Sequence, residues 1–177
     1  QDNTSTIEQA GTDNEADVTK TGMGNTSTIT NTNGEGNKVT VVQNGQENVS
    51  TYETTDGSDM NIANDRIYQN GMKNNSTVLI TVNGNEQQVD QLRDLNTSTI
   101  DVMGSDNFAE VDQRGDENES DIDQIEGTSG SSAEVYQGNA SNKQKSTVLQ
   151  DGATDSDAFV RQIGPDKNTS NIKQDGT

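Results

Sequence analysis

The sequence predicts an all-β fold, and more specifically a β-solenoid in which two short strands form each turn of a flat coil. Three observations support this prediction: a unit of about 11 to 13 residues recurs 15 times, residue types alternate within each unit, and Gly follows most units. Self-similarity at a fixed period is typical of solenoids, in which each copy stacks on the next. We therefore expect residues 1–177 to form a single domain of about 7.5 turns.

Composition alone favours a disordered chain. The 177 residues include 11 basic and 30 acidic side chains, giving a formal charge of −19, and only 25% are apolar. Such chains are usually disordered, so the prediction of order depends on the repeat. The absence of Cys and His excludes disulfides, the usual zinc sites, and thiol or imidazole catalysis. The negative charge disfavours nucleic-acid binding, and no apolar run is long enough for membrane insertion.

The most regular units read Asn, any, small, any, apolar, any, Gln, any, Gly, as in NTSTIEQAG at 3–11 and NTSNIKQDG at 168–176. The small, apolar and Gln positions alternate with Thr, Glu, Asp or Lys, which is the period of a strand. One wider spacer separates the fifth and sixth units. In chain order, the apolar position holds Ile7, Val18, Ile29, Val41, Tyr52, Ile67, Val78, Val89, Ile100, Val111, Ile122, Val135, Val148, Val160 and Ile172.

Odd and even units differ at the small position, so one full repeat comprises two strands. Even units most often have Ala there. Odd units have Ser in all eight copies: Ser5, Ser27, Ser50, Ser76, Ser98, Ser120, Ser146 and Ser170.

Stacking explains why a polar amide occupies an inward position. When like residues lie above one another, their amides bond along the axis and no buried polar group is left unsatisfied. The sequence therefore predicts an inward core ladder. Its members are Ser5, Ile7, Gln9, Ser27, Ile29, Val41, Gln43, Ser98, Ile100, Asn107, Ala109, Val111, Gln113, Ser120, Ile122, Gln124, Ala133, Val135, Gln137, Val148, Gln150, Val160 and Gln162.

The first and last units are among the most regular, whereas ordinary solenoids protect their ends with atypical repeats. Open strand edges are templates for another chain, so we expect head-to-tail homopolymerisation. An odd number of units suggests that neighbouring subunits are related by half a turn, and the alternative is a simple pause between subunits without such a rotation. The predicted polymerisation ends comprise Asn3, Ser5, Ile7 and Gln9 at one end, and Asn168, Ser170, Ile172 and Gln174 at the other.

The two-unit pattern is clearest at 98–113, where Ser98, Gly104, Asn107, Ala109, Val111 and Gln113 fill its positions and Val102 replaces one Gln. It resembles the curlin repeat of the curli major subunit family. The resemblance implies a secreted structural subunit of functional amyloid fibres in the extracellular matrix at a bacterial cell surface. It also implies a curli-type secretion channel and a nucleating minor subunit as partners, and no enzymatic activity. We expect no cofactor and no metal site.

Two alternatives remain open from the sequence. Outward Thr pairs such as Thr4/Thr6, Thr26/Thr28 and Thr97/Thr99 resemble those of ice-binding solenoids, which suggests a soluble protein that binds ice or another regular surface. A secreted repeat spacer in a larger adhesin is the second alternative.

Overall fold

The computed structural model describes residues 2–55, 65–138, 142–164 and 167–176. The elements of these residues are β-strands, one for each unit. In chain order they are β1 (Thr4–Thr12), β2 (Glu15–Met23), β3 (Thr26–Glu35), β4 (Lys38–Gln46), β5 (Val49–Thr54), β6 (Asp65–Met72), β7 (Asn75–Ile80), β8 (Glu86–Leu92), β9 (Thr97–Val102), β10 (Phe108–Gln113), β11 (Glu119–Gln124), β12 (Ser132–Gln137), β13 (Lys145–Asp151), β14 (Asp157–Gln162) and β15 (Thr169–Asp175). The wider spacer predicted before the sixth unit falls mainly at 56–64, outside the described residues.

The strands form two parallel sheets. The odd sheet contains β1, β3 and so on to β15, and the even sheet contains β2, β4 and so on to β14. Each strand pairs with the strand two places along the chain, so every turn contributes one strand to each sheet. This arrangement confirms the predicted all-β solenoid, with about seven turns.

Equivalent repeat positions stack directly on one another. In the odd sheet Ser5 pairs with Ser27 and Ile7 with Ile29, and in the even sheet Ala109 pairs with Ala133. Variation in unit length is absorbed largely between the strands, which keeps this register along the coil. The inward Ile, Val and Ala side chains of both sheets form one continuous buried core.

Glycine is required where successive turns approach closely. Gly45 has φ +121°, a conformation that L side chains rarely adopt, and it pairs in register with Gly22 and Gly71. A Cβ atom on Gly45 would lie 2.0 Å from the carbonyl oxygen of Gly71. This contact explains why Gly recurs after the Gln position.

Candidate assembly interface

The two outermost strands are the places where the inward residue pattern reaches solvent. On β1, Ser5, Ile7 and Gln9 are exposed, and Asn3 beside them is exposed as well. The side chain of Ile7 is 44% exposed, whereas Ile29, its equivalent one turn along, is 0% exposed. Both residues face the core side of the odd sheet, so the difference arises because no described strand covers β1 on its outer side.

The other end of the odd sheet is β15, where Ser170, Ile172 and Gln174 are half-buried and Asn168 is exposed. Ile172 packs against the core cluster from its edge. Elsewhere, the ladder residues predicted between 27 and 162 are all buried. The residues named from sequence as polymerisation ends therefore lie at the two ends of the described coil.

A ladder of Gln side chains runs through the even sheet. The Nε2 atom of Gln43 donates to Oε1 of Gln69 at 2.8 Å, and Gln69 donates to Gln91 at 2.9 Å. The same step is repeated from Gln91 to Gln113, from Gln113 to Gln137 and from Gln137 to Gln162, at 3.0, 3.0 and 2.9 Å. Each step points toward the C-terminal end, so the ladder is polar.

Each Gln also joins the two sheets. The Nε2 atom of Gln113, in the even sheet, donates to the carbonyl oxygen of Thr97 in the odd sheet at 2.9 Å. In the odd sheet, Gln124 donates to Gln150 and Gln150 to Gln174, at 2.9 and 2.7 Å. These amides therefore satisfy backbone groups at the start of the facing strand as well as each other.

A second ladder is formed by Asn side chains at the corners that precede the odd strands β1 to β11. The Oδ1 atom of Asn3 accepts the backbone N–H of Asn25 at 3.0 Å, and Asn25 accepts that of Asn48 at 3.0 Å. The series continues through Asn74 and Asn96 to Asn118, at 3.0, 2.9 and 3.0 Å. Each side chain thus fixes the corner of the following turn.

Lys20 replaces Gln in β2, at the N-terminal end of the even-sheet ladder. Its ammonium donates to the carbonyl oxygen of Thr4 and, at 3.4 Å, to that of Asn25. It therefore bridges to backbone oxygens of the odd sheet, as Gln43 does from the next turn. Partial burial lowers the pKa of Lys20 to about 8.

Carboxylates form a half-buried column on the outer face of the odd sheet. Asp123 pairs with Asp101 in register, and Asp121 lies two residues away on the same strand. Burial raises the pKa of Asp123 to about 6, with further contributions from the negative charges of Asp121 and Asp101. Burial is also the main cause of the raised pKa of Glu110 on the even sheet, where Glu134 stacks beside it.

One buried pair was missed by reasoning from the sequence. Tyr52 stands at the apolar position of β5 and Asp65 at the small position of β6, and their side chains are hydrogen-bonded in the core. Each residue differs in type from its equivalents in the preceding turns, which are Ile29 for Tyr52 and Val39 for Asp65. Because both exceptions occur in the third turn, the sequence contained a signal from which their contact could have been predicted.

The described residues contain no cluster of three or more His, Cys, Asp or Glu side chains arranged to hold a metal ion. Among these residues, moreover, no helix has the length and apolar character needed to cross a membrane.

Comparison with known proteins gives one match. The family model for the curlin associated repeat matches residues 1–30 and 104–138. No curated protein and no solved structure matches the chain. The first matched region covers β1, β2 and the first half of β3, and the second covers β10 to β12, so both contain complete turns of the coil. These two parts of the chain therefore contain curlin associated repeats.

Proposed function

We propose that this protein is a non-enzymatic structural subunit that polymerises head to tail into extracellular, curli-like amyloid fibres of a bacterial biofilm matrix. The observation that carries the proposal is that β1, at the end of the coil, has the same inward residue types as the buried strands but is exposed. Ile7 is 44% exposed at a position where Ile29 is fully buried. A second copy that covers β1 would bury this side chain and pair the open backbone edge of the strand.

The polarity of the ladders supports a head-to-tail contact. Along the coil, Gln Nε2 atoms donate toward the C-terminal end, where Gln162 and Gln174 are the last members. At the other end, Gln9 occupies the same repeat position on β1. A copy added at the C-terminal end therefore offers the amide oxygen of Gln9 to accept the next hydrogen bond. If two like ends met instead, donors would face donors or acceptors would face acceptors.

The sheet count supports a half-turn between neighbouring subunits. Within the described residues the odd sheet has eight strands and the even sheet seven, so the two sheets end at different heights. Rotation by half a turn about the coil axis exchanges the sheets and keeps the strands parallel. The β1 strand of a second copy then extends the even sheet beyond β14, with Glu8 beside Arg161 in repeat register. A fibre map with unrotated subunits would contradict this arrangement.

The test compares elongation of seeded fibres by wild type, Ile7→Lys and Thr6→Lys. Thr6 is an exposed neighbour on β1 whose side chain faces outward, so its variant is a control for added charge. A buried, unpaired ammonium is strongly unfavourable, and we expect Ile7→Lys to elongate at least about tenfold more slowly than Thr6→Lys. Circular dichroism of each variant checks that strand content is retained.

Wild-type chain is expected to form unbranched, thioflavin-positive fibres after a lag, with a reflection at about 4.7–4.8 Å. Persistence as a strand-rich monomer over hours would overturn the proposal. Equal elongation by the two Lys variants would show that β1 is not part of the joint.

The match to the curlin associated repeat is the reason to propose two further partners: a curli-type secretion channel and a minor subunit that nucleates fibres. Co-expression with these components, followed by microscopy of the cell surface, tests both. Fibres that appear equally well without either component would contradict this part of the proposal.

A second candidate function is favoured by one outward column. Thr6, Thr28, Thr51, Thr77 and Thr99 stack in register along the odd sheet. Such a row suits a repetitive surface such as ice, although the neighbouring column changes from Thr to Val49, Asn75 and Glu119. Thermal hysteresis of the monomeric chain, with Thr51→Lys as a comparison, tests this function. No hysteresis in wild type would exclude it.

A further inference from the structure

The third turn of the coil has a polar pair at two core positions that hold apolar residues in the two preceding turns. Tyr52 on β5 follows Ile7 and Ile29 in its column, and Asp65 on β6 follows Ala16 and Val39. Both side chains are 1% exposed. The surrounding side chains of the core include Ile67, Val78 and Val89, which are also buried and offer no polar group.

Within the described residues, the hydrogen bonds to the Asp65 carboxyl come from neutral groups. The Tyr52 hydroxyl donates to Oδ2, and the backbone N–H of Gln87 donates to Oδ1 at 2.8 Å. The side-chain amide of Gln87, oriented with its nitrogen toward Asp65, donates to Oδ1 at 3.1 Å. None of the ion pairs in the described part of the chain includes Asp65.

The charged groups near Asp65 do not compensate its charge. On β8, Glu86 acts on it with a like charge, and Tyr52 is the titratable group that faces it from β5. On β4, Asp65 pairs with Val39, while Lys38 is bound to Glu15. Arg66, next along β6, forms an ion pair with Asp90 on the outer face. An ionised Asp65 is therefore a buried, unpaired charge, which is costly in an apolar core.

We propose that the Tyr52–Asp65 pair is a proton-sensitive element, which stabilises the solenoid in mildly acidic surroundings and weakens it above neutral pH. Its effect on fibre growth rests on the proposed function, but its effect on folding does not. The neutral carboxyl places no charge in the core, whereas the ionised carboxyl keeps its neutral donors but is a buried charge without a counter-ion among the described residues.

The direction follows from the two states. Burial, as the largest cause, raises the pKa of Asp65 from 3.8 to about 7, while the hydrogen bonds from Tyr52 and Gln87 act in the opposite direction. Between about pH 4 and pH 7, the folded chain therefore retains this proton, whereas the unfolded chain has lost it. The stabilisation is therefore complete below about pH 4 and is lost as the pH rises to about 7.

The first experiment measures the carboxyl directly. The ¹³C carboxyl resonance of Asp65, assigned by its loss in Asp65→Asn, is followed against pH in the folded full-length chain or in its fibres. We expect a midpoint near 7. A midpoint near 4 would overturn the proposal.

The second experiment compares urea unfolding of wild type, Asp65→Asn and Asp157→Asn, an exposed carboxylate of the even sheet. Between about pH 5.5 and pH 8, the ratio of folded to unfolded wild type should fall about 30-fold relative to Asp65→Asn. Asp157→Asn should retain the wild-type pH dependence. The same dependence in wild type and Asp65→Asn would contradict the proposal.

Tyr52→Phe separates a role in proton binding from a role in packing. Loss of the hydroxyl removes a hydrogen bond that favours the ionised form, so the Asp65 midpoint should move to higher pH. An unchanged midpoint would remove Tyr52 from the proposed element. Because these readouts concern folding, they remain decisive if the chain forms no fibres, in which case only the proposed function fails.

Discussion

Left-handed backbone residues mark the corner before each odd strand from β3 onward. Gly24 has φ +68°, but the equivalent positions hold Glu47, Lys73 and Leu95, with φ of 55°, 58° and 60°. Their backbone N–H groups bond to carbonyls of the preceding turn, as that of Leu95 does with Met72 at 2.9 Å. The hydrogen bond holds a conformation that costs a non-Gly residue about 1–2 kcal/mol.

Leu95→Gly should therefore stabilise the fold. The side chain of Leu95 is 49% exposed, so little packing is lost, and relief of the left-handed strain outweighs the added flexibility of the unfolded chain. We expect a gain of about 0.5–1 kcal/mol in the free energy of unfolding, measured with urea. Leu149→Gly, on the outer face of β13, is the control and should be destabilising. Loss of stability in Leu95→Gly would contradict this account of the corner.

The Gln ladder makes each amide depend on its neighbours. Gln113 accepts from Gln91 at 3.0 Å and donates to Gln137 at 3.0 Å. Gln113→Leu leaves the amide donor of Gln91 and the amide acceptor of Gln137 without this partner, and both groups are buried. We expect the free energy of unfolding to fall by about 2–4 kcal/mol in total. Gln88→Leu, on the outer face of β8, should change stability by no more than about 0.5 kcal/mol. Guanidinium unfolding followed by circular dichroism measures both, and equal effects would show that the ladder adds no stability.

At the scale of strands, parallel pairing in register places like charges beside one another. On β9 and β11, Asp101 and Asp123 are cross-strand neighbours, an arrangement that destabilises a sheet when both are ionised. Burial and these neighbours raise the pKa of Asp123 to about 6, so the folded chain binds its proton more tightly than the unfolded chain. Stability from this group is complete below about pH 4 and is lost as the pH rises through about 6.

Asp123→Asn should consequently gain stability relative to wild type as the pH rises from about 4 to about 6, with a constant difference above that. The effect is reduced by solvent screening, because Asp123 is only partly buried. Urea midpoints across this range measure it, with Asp157→Asn as an exposed control, because Asp157 is paired with Ser132 and not with a carboxylate. A difference that does not vary with pH would contradict the role of carboxylate stacking.

At the scale of the whole molecule, charge would oppose the proposed assembly, whereas the exposed end strands would favour it. The chain carries a formal charge of −19, and every added subunit brings further carboxylates close to those already present. Added salt screens this repulsion over a Debye length of about 10 Å at 0.1 M.

The lag before fibre growth should thus shorten severalfold between about 10 mM and about 150 mM sodium chloride, as followed by thioflavin fluorescence. Asp123→Asn combined with Glu134→Gln removes one partner from each of two carboxylate stacks, and this variant should depend less on salt. A lag that is independent of salt in wild type would show that charge repulsion does not limit assembly.

The amino-acid sequence was sufficient to predict the strands, the two-strand turn and the stacking of equivalent positions. These features follow from short-range periodicity: a period of two sets which side chains face inward, and a constant repeat places Ile29 on Ile7 and Gln113 on Gln91. The all-β solenoid could therefore be predicted without any knowledge of contacts between the sheets, and the structure confirms it.

Contacts across the coil were decided only by the tertiary structure. Whether Ile7 is exposed depends on which strands cover β1, and the hydrogen bond between Tyr52 and Asp65 depends on how the two sheets face each other within one turn. The common direction of the Gln amides is likewise a property of the stack, since each amide is oriented by the one before it. Periodicity specifies which face a residue occupies, whereas its partner and its exposure are set by the geometry that closes each turn.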